Sequence, residues 1–142
     1  MSMTLEQQRA NDALTCVSEI KAAGDELGSR YRSYVERLPA NIVMNGLGQA
    51  VATLMARKNG SGADAKAYEF LLGHLQAWLC RQDPAAPYIG AMLHDDMPLI
   101  RAISTSDQSV YVRAHAEALA YLVWLKKFAQ AFLPRSKESS HD

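Results

Sequence analysis

The sequence predicts an all-α fold, a single compact bundle-like domain of about five to seven helices. Apolar residues recur at spacings of three and four along most of the chain, which is the period of one helix face. The alternation of apolar and polar residues that is typical of strands is not evident over any useful length. Apolar residues make up 49% of the 142 residues, enough for one hydrophobic core. We therefore assign residues 1–134 to one helical domain and expect residues 135–142 to be a disordered tail.

The first predicted helix begins after Thr4, whose hydroxyl can cap it while Gln7 completes a capping box. Gly24 and Gly28 then indicate a break, and we expect the second helix to start at Ser29. The apolar face of the first helix consists of Ala10, Ala13, Leu14, Val17 and Ile20.

The second helix is predicted to end near Leu38, because Pro39 disfavours helical geometry in the residue before it. Pro39 then suits the first turn of a third helix. Gly46 and Gly48 lie within this third helix, where each costs about 1 kcal/mol relative to alanine, so we expect a neighbouring backbone to approach them closely. The apolar face of the third helix consists of Val43, Leu47, Ala50, Val51 and Leu54.

A flexible basic loop, residues 57–63, leads to a fourth helix that Asp64 can cap. Two prolines in Asp83–Pro87 indicate turns, and a short helix is predicted over Pro98–Ser104, with Asp96 near its cap. The core stripe of the fourth helix consists of Tyr68, Leu71, Leu72, Leu75, Trp78 and Leu79.

The last helix is predicted from near Ser106 to Leu133, where Pro134 stops it. Its apolar residues recur at alternating spacings of three and four, which is a seam for packing against another helix, within this chain or between chains. The seam consists of Tyr111, Ala114, Ala118, Tyr121, Leu125, Phe128 and Phe132.

The charge composition argues against a protein that binds nucleic acid on its own. Lys plus Arg and Asp plus Glu both total 15, so the formal net charge is zero, whereas nucleic-acid-binding domains usually have a basic excess. Between Arg30 and Arg81, however, seven cations stand against three anions, a local excess of four. This excess permits a modest anion-binding patch without establishing one, because solvated surface charges are the commoner explanation.

Cys16 and Cys80 lack the spacing of metal ligands, and we interpret both as buried thiols rather than as a disulfide. Reduced thiols are typical of cytoplasmic proteins. No apolar run reaches the roughly 18–20 residues that a membrane span needs, and the polar N-terminus lacks a signal-peptide core. We therefore expect a cytoplasmic protein that makes no membrane contact.

No nucleophile elbow, Walker loop, dinucleotide fingerprint or zinc-protease motif occurs in the sequence. His94, Asp95 and Asp96 form a compact triplet that could ligate a metal ion, as in phosphohydrolases with a His–Asp pair. The two aspartates also suit the start of a helix, where negative charge is favoured. We predict no catalytic residue, no cofactor and no metal, and keep a phosphohydrolase centred on this triplet as a third hypothesis.

Trp124 is the main candidate for a contact with another protein. On a helical wheel it falls in the most polar strip of the last helix, together with Arg113 and Glu117. An indole in that strip either anchors a partner or is covered by the N-terminal helix. Lys126 and Lys127 beside it can meet a phosphate backbone or offset the helix dipole.

Short motifs that follow one another over most of the chain carry a family resemblance. In order they are Tyr31-Arg32-Ser33, Leu38-Pro39, Asn45-Gly46-Leu47-Gly48-Gln49-Ala50, Tyr111, Glu117-Ala118-Leu119 and Trp124-Leu125-Lys126-Lys127. Together they resemble the small all-helical subunit of type III-B (Cmr) CRISPR RNA-silencing complexes. Residues 83–104 carry no matching motif, so their role stays open.

The resemblance implies a structural subunit without catalytic activity or a cofactor. In that family, several copies of the small subunit stack beside a filament of backbone subunits that holds the guide RNA. They link this filament to the large signalling subunit and line the path of the target strand, while base pairing reads the sequence. The implied partners are the backbone and large subunits of the Cmr complex, further copies of this chain, the guide RNA and the target RNA.

The resemblance and the local charge together nominate RNA-contacting residues. Arg37, Arg57 and Lys58 follow from local charge alone, and Trp124 and Arg113 are candidates for a partner interface. The alternative function is a helical adaptor of another protein complex, without RNA, that uses Trp124 and the seam of the last helix. The candidates that match family motif positions are Arg32, Asn45, Gln49, Lys126 and Lys127.

Overall fold

The computed structural model describes residues 2–93 and 96–135. These residues form six α-helices and one 3₁₀ turn, which confirms the predicted all-α class. His94, Asp95 and residues 136–142, on which the metal and tail predictions fall, lie outside the described residues. The helices are α1 (Leu5–Ala22), α2 (Asp25–Asn45), α3 (Leu47–Lys58), α4 (Gly62–Leu79), α5 (Pro98–Thr105) and α6 (Gln108–Phe132), with the 3₁₀ turn at Ala91–Leu93.

The buried side chains form a core to which all six helices contribute. Neighbouring helices pack in the order α1, α6, α2, α4, α3 and α5, and α4 also touches α5 and α6. The predicted stripe of α4 therefore lies near the middle of the core: Tyr68 is partly buried, and the other predicted residues are buried. Those buried residues are Leu71, Leu72, Leu75, Trp78 and Leu79.

The predicted capping box at the start of α1 is confirmed. The Gln7 backbone N–H donates to the Thr4 hydroxyl at 3.1 Å, and the Thr4 N–H donates to the Gln7 side-chain oxygen at 2.8 Å. Leu14 is the error in the predicted apolar face, since it is 40% exposed. It lies about 100° around the helix from Ala13, which faces the core. The predicted residues that are fully buried are Ala13, Val17 and Ile20.

α2 begins at Asp25 and runs without a break to Asn45. The predictions of a start at Ser29 and a boundary at Pro39 are therefore wrong. Pro39 has no N–H to donate to the carbonyl of Val35, and a proline inside a helix costs about 3 kcal/mol. The burial of side chains before and after Pro39 outweighs this cost, so the helix continues through the proline. The buried residues of α2 are Gly28, Tyr31, Val35, Leu38 and Ile42.

The chain breaks instead at Gly46, which caps the end of α2 and the start of α3 with a φ of 88°. A Cβ atom at Gly46 would lie 3.2 Å from the Tyr111 hydroxyl. That hydroxyl accepts a hydrogen bond from the Gly48 N–H at 3.0 Å, and a Cβ atom at Gly48 would lie 3.3 Å from the Ile103 side chain. Side chains approach these two glycines, not the backbone that we predicted.

The apolar face of α3 is largely as predicted, with one exception. Val43 belongs to the last turn of α2 and is 66% exposed. α3 extends through Lys58 and α4 begins at Gly62, so the predicted loop over residues 57–63 shortens to residues 59–61. Ser61 is the N-cap of α4, and Asp64 lies in the first turn rather than at the cap. The buried residues of α3 are Leu47, Ala50, Val51 and Leu54.

α6 uses its seam mainly inside this chain. Asp107 caps the helix by accepting a hydrogen bond from the Val110 N–H at 3.1 Å. Phe128 is partly buried, whereas Phe132 at the end of the helix is 45% exposed. The seam residues that are buried in the core are Ala114, Ala118, Tyr121 and Leu125.

Glu117 lies in the most polar strip of α6, yet it is only 8% exposed. Its carboxylate accepts hydrogen bonds from Arg9 at 2.7 and 2.8 Å and from the Trp78 indole at 2.9 Å. Burial raises the pKa of Glu117, but these hydrogen bonds outweigh burial and hold the pKa below its ordinary value. One carboxylate thus joins α1, α4 and α6.

The two cysteines are free thiols, as predicted; Cys16 is partly buried and Cys80 is buried. Burial raises the pKa of each thiol to about 12. Among the described residues, no helix combines the length and the apolar character needed to cross a bilayer.

We predict that Glu117→Gln lowers the free energy of unfolding by about 2–4 kcal/mol near neutral pH, because partly buried Arg9 keeps only its ion pair with the exposed Glu6. The folded-state pKa of Glu117 is lowered, so its contribution is complete above the unfolded glutamate pKa of about 4.3 and is lost as the pH falls through the folded value. Urea unfolding of both proteins across this pH range should therefore show that the difference in unfolding free energy becomes smaller in acid.

Glu69→Gln, a substitution at an exposed position of α4, is the control. A difference that does not change with pH would contradict the ion pair.

A glycine series should separate backbone conformation from crowding. Gly46→Ala should cost about 1–3 kcal/mol from its positive φ, plus the displacement of Tyr111. Gly62→Ala has a similar φ of 80° but open space, so it should show the backbone cost alone. Gly73→Ala, inside α4 with nothing within 4 Å of its new Cβ, should raise stability by about 0.5–1 kcal/mol. Equal melting temperatures for Gly46→Ala and Gly62→Ala would exclude a role for the Tyr111 contact.

Candidate nucleic-acid interface

Two adjoining cavities, of about 810 and 260 Å³, form one groove across α2, the start of α4 and the end of α3. Tyr34 and Asp64 line both cavities and mark the place where they meet. The larger cavity is further lined by Asp25, Glu26, Ser29, Arg30, Ser33, Arg37, Pro134 and Arg135. The smaller cavity is further lined by Ala56, Arg57, Gly60, Ser61, Ala65 and Tyr68.

Four aromatic and guanidinium groups form layers along this groove. The rings of Tyr34 on α2 and Tyr68 on α4 stack with their centroids 3.9 Å apart and an angle of 11° between them. The Arg37 guanidinium lies over Tyr34 at 5.2 Å, and the Arg57 guanidinium lies over Tyr68 at 5.8 Å. Such contacts orient the two guanidinium groups without neutralising their charge.

Asp64 is the acidic residue at the centre of the groove. It accepts hydrogen bonds from the Tyr34 hydroxyl and from Arg30, the latter at 2.8 Å. These two bonds, that of Tyr34 first, lower the pKa of the Asp64 carboxyl below its ordinary value. Burial and the bond to Asp64 raise the pKa of Tyr34, which stays a hydrogen-bond donor at neutral pH.

The end of α6 forms one wall of the groove because it is held against α2. Arg32 donates hydrogen bonds to the carbonyl oxygens of Leu133 at 3.0 Å and Gln130 at 3.3 Å. A Cβ at Gly28 would lie 3.2 Å from Pro134, so the glycine lets the chain cross α2 closely. We predicted that Gly28 takes part in a helix break. It lies within α2 instead, where it allows this close crossing.

The RNA candidates chosen from local charge divide between two surfaces. Arg37 and Arg57 are exposed and line the groove. Lys58 lines a separate cavity of about 370 Å³ whose charges are mixed, with Lys66 as a second cation and Glu19 and Glu69 as carboxylates. These three cations therefore do not line one common cavity.

The candidates from the family motifs lie elsewhere. The Arg32 side chain is 12% exposed, and its guanidinium donates a hydrogen bond to the Leu133 carbonyl oxygen at the end of α6. Asn45 and Gln49 are exposed at the α2–α3 junction, and the Asn45 amide donates to the Asn41 side chain at 2.6 Å. Gln49 is eight residues before Arg57 in the same helix, a separation of about 12 Å at 1.5 Å per residue.

Near the C-terminal end of α6, Lys127 is exposed and Lys126 is partly exposed. Neither lysine lines the groove.

Trp124 and Arg113, the candidates for a partner interface, both make contacts within the chain. The Trp124 indole donates to Glu6 of α1, so the N-terminal helix partly covers it. Arg113 donates to the carbonyl oxygens of Ala86 and Pro87 at 3.5 and 3.3 Å. Coverage by the N-terminal helix was one of the two alternatives for Trp124.

Sequence reasoning missed the aromatic part of the groove. Tyr68 was assigned only to the core stripe, and Tyr34 was not considered as a site residue. The pair Tyr34 and Arg37, one helical turn apart, is a local signal that could have indicated the stack. The pairing of Tyr34 with Tyr68 joins distant parts of the chain, so no local pattern contains it.

Two other features bear on catalysis. Among residues 2–93 and 96–135, no three His, Cys, Asp or Glu side chains come together as a metal site. His74 bridges Tyr31 at 2.7 Å and Glu19 at 2.8 Å, in an arrangement that resembles a proton relay. Tyr31 is fully buried, however, so this chain of hydrogen bonds ends in the core instead of at a substrate.

Comparison with known proteins agrees with the resemblance seen in the sequence. The family described as CRISPR-associated protein (Cas_Cmr5) matches residues 5–132. The X-ray crystal structure of a CRISPR-associated Cmr5 family protein from Thermus thermophilus superposes with a TM-score of 0.69 and 28% sequence identity. The match covers 93% of this chain and 100% of that one. The chain therefore belongs to the Cas_Cmr5 family of CRISPR-associated proteins and is a subunit of a Cmr-type complex.

Proposed function

We propose that this chain is a non-catalytic structural subunit of a type III-B effector complex, working in the cytoplasm in antiviral defence. Copies of it stack along the backbone filament, contact the backbone and large subunits, and touch phosphates of the target RNA and its duplex with the guide RNA. Family membership supports the place in the complex. The observation that carries the RNA contact is the Arg37–Tyr34–Tyr68–Arg57 stack, which lines an open groove.

The groove suits phosphate contacts that depend on the assembly. Its lining holds four arginines and three carboxylates, so its net charge is only about one positive. Contacts to phosphates carry no sequence information and weaken with salt. A weakly charged groove on a chain of zero net charge fits RNA that base pairing and other subunits have already positioned.

The remaining candidates are assigned roles according to exposure. Asn45, Gln49, Lys58, Lys126 and Lys127 are available to RNA or to a neighbouring subunit, since each is at least partly exposed. Arg32 acts through packing, because it holds the wall of the groove. The adaptor alternative relied on Trp124 and the α6 seam, and most of that surface is used within the chain.

The double variant Arg37→Glu with Arg57→Glu should weaken target RNA binding by a reconstituted effector complex roughly tenfold or more at low salt. Loss of two phosphate contacts should also reduce the slope of log affinity against log salt by about 1.4 for a single strand. Filter binding of labelled complementary RNA across a salt series measures both quantities.

The matched control is Lys21→Glu with Arg101→Glu. It makes the same change of charge at two exposed cations that line neither cavity of the groove. We expect it to leave RNA binding within about twofold of wild type, because neither cation is placed at a phosphate contact. If the groove variant assembles normally and keeps wild-type affinity and salt slope, the RNA contact is wrong and only the structural role remains.

A further inference from the structure

Asp64 stands where an extended anion in the groove would have to pass. The larger cavity holds Arg37 and Arg135, the smaller holds Arg57, and Asp64 lines both. A chain of phosphates that reached from Arg37 to Arg57 would therefore run beside this carboxylate. Coulomb repulsion between the phosphates and this carboxylate would lower the affinity of the groove for such an anion.

Arg30 is the cation that neutralises Asp64. The Arg30 guanidinium donates to the Asp64 carboxylate at 2.8 Å and lies 3.6 Å from Glu26. Arg30 is 39% exposed and Asp64 55% exposed, so both groups remain in contact with solvent. Exposed ion pairs contribute little to stability, so a phosphate can replace one partner at little cost.

We propose that Asp64 is an internal competitor for Arg30: it occupies the guanidinium in the free protein, and an RNA phosphate takes its place on binding. This inference rests on the proposed RNA contact of the groove. Tyr34 is part of the exchange, because its hydroxyl donates to Asp64 and its ring is a layer of the stack. The released carboxylate keeps the bond from Tyr34, while Arg30 turns toward the phosphate.

The exchange has a consequence for ion release. When Arg30 leaves Asp64 for a phosphate, the phosphate releases its condensed cation, and added salt weakens that contact. Added salt also weakens the exposed ion pair between Arg30 and Asp64 that has to break, which offsets part of this dependence in the wild type. With Asp64 neutral the offset is lost, so the salt slope should steepen, by at most about 0.7 to 0.9.

The test is Asp64→Asn in the reconstituted effector complex, with labelled complementary RNA and a salt series. Asparagine keeps an acceptor for Tyr34 and removes the charge. We expect affinity at low salt to rise about three- to tenfold, with the steeper slope given above. In a background of Arg30→Gln the gain from Asp64→Asn should be smaller, because only the repulsion between Asp64 and the phosphates is then relieved. The control is Asp25→Asn. Asp25 lines the same cavity, but the ion pairs of Arg30 are with Glu26 and Asp64. We therefore expect this variant to change affinity by less than about twofold.

Each outcome has one meaning. An equal gain from Asp64→Asn with and without Arg30 would show simple repulsion and overturn the exchange, while the RNA groove stands. No gain, in a complex that Arg37→Glu with Arg57→Glu does weaken, would also overturn the exchange alone. No effect from any of these variants would overturn the groove as an RNA contact and the exchange with it.

Discussion

The two faces of α2 determine both the core and the groove. One face, spaced at three and four residues, buries Tyr31, Val35 and Leu38 against α4 and α6. The adjoining face presents Tyr34 and Arg37 to the groove. Because these positions share one unbroken helix, any shift that repacked the buried face would also displace the stack on Tyr68. A change in the packing of the interior would therefore also change the surface.

Much of the fold could be predicted because it rests on local signals. The capping box at Thr4, the stripe of α4 and the seam of α6 all lie within single helices, where spacing alone identifies the buried face. The errors fall where local preference opposes packing. Pro39 predicts a boundary by its own chemistry, yet burial on both sides keeps α2 whole. Gly46 ends the helix, since only a glycine readily takes the φ of 88° found there.

The candidate site was less predictable, because its parts come from distant segments. Arg37 and Arg57 were chosen for charge alone, and nothing near them in sequence showed that Tyr34 and Tyr68 would align them. The family motifs, by contrast, led partly to structural residues: Arg32 holds the end of α6, and Glu117 is a buried counter-ion. A motif records a physical requirement without saying whether packing or binding imposes it.

The state of the two cysteines has a practical consequence for measurements on this subunit. With a thiol pKa of about 12, Cys16 and Cys80 are almost entirely protonated at neutral pH, whereas only the thiolate attacks an alkylating reagent readily. A cysteine introduced at an exposed position such as Gln49 would react far faster than either natural thiol. Fluorophores or spin labels could then be attached at one chosen position of the natural sequence, and distances within an assembled complex could be followed without removing the native cysteines.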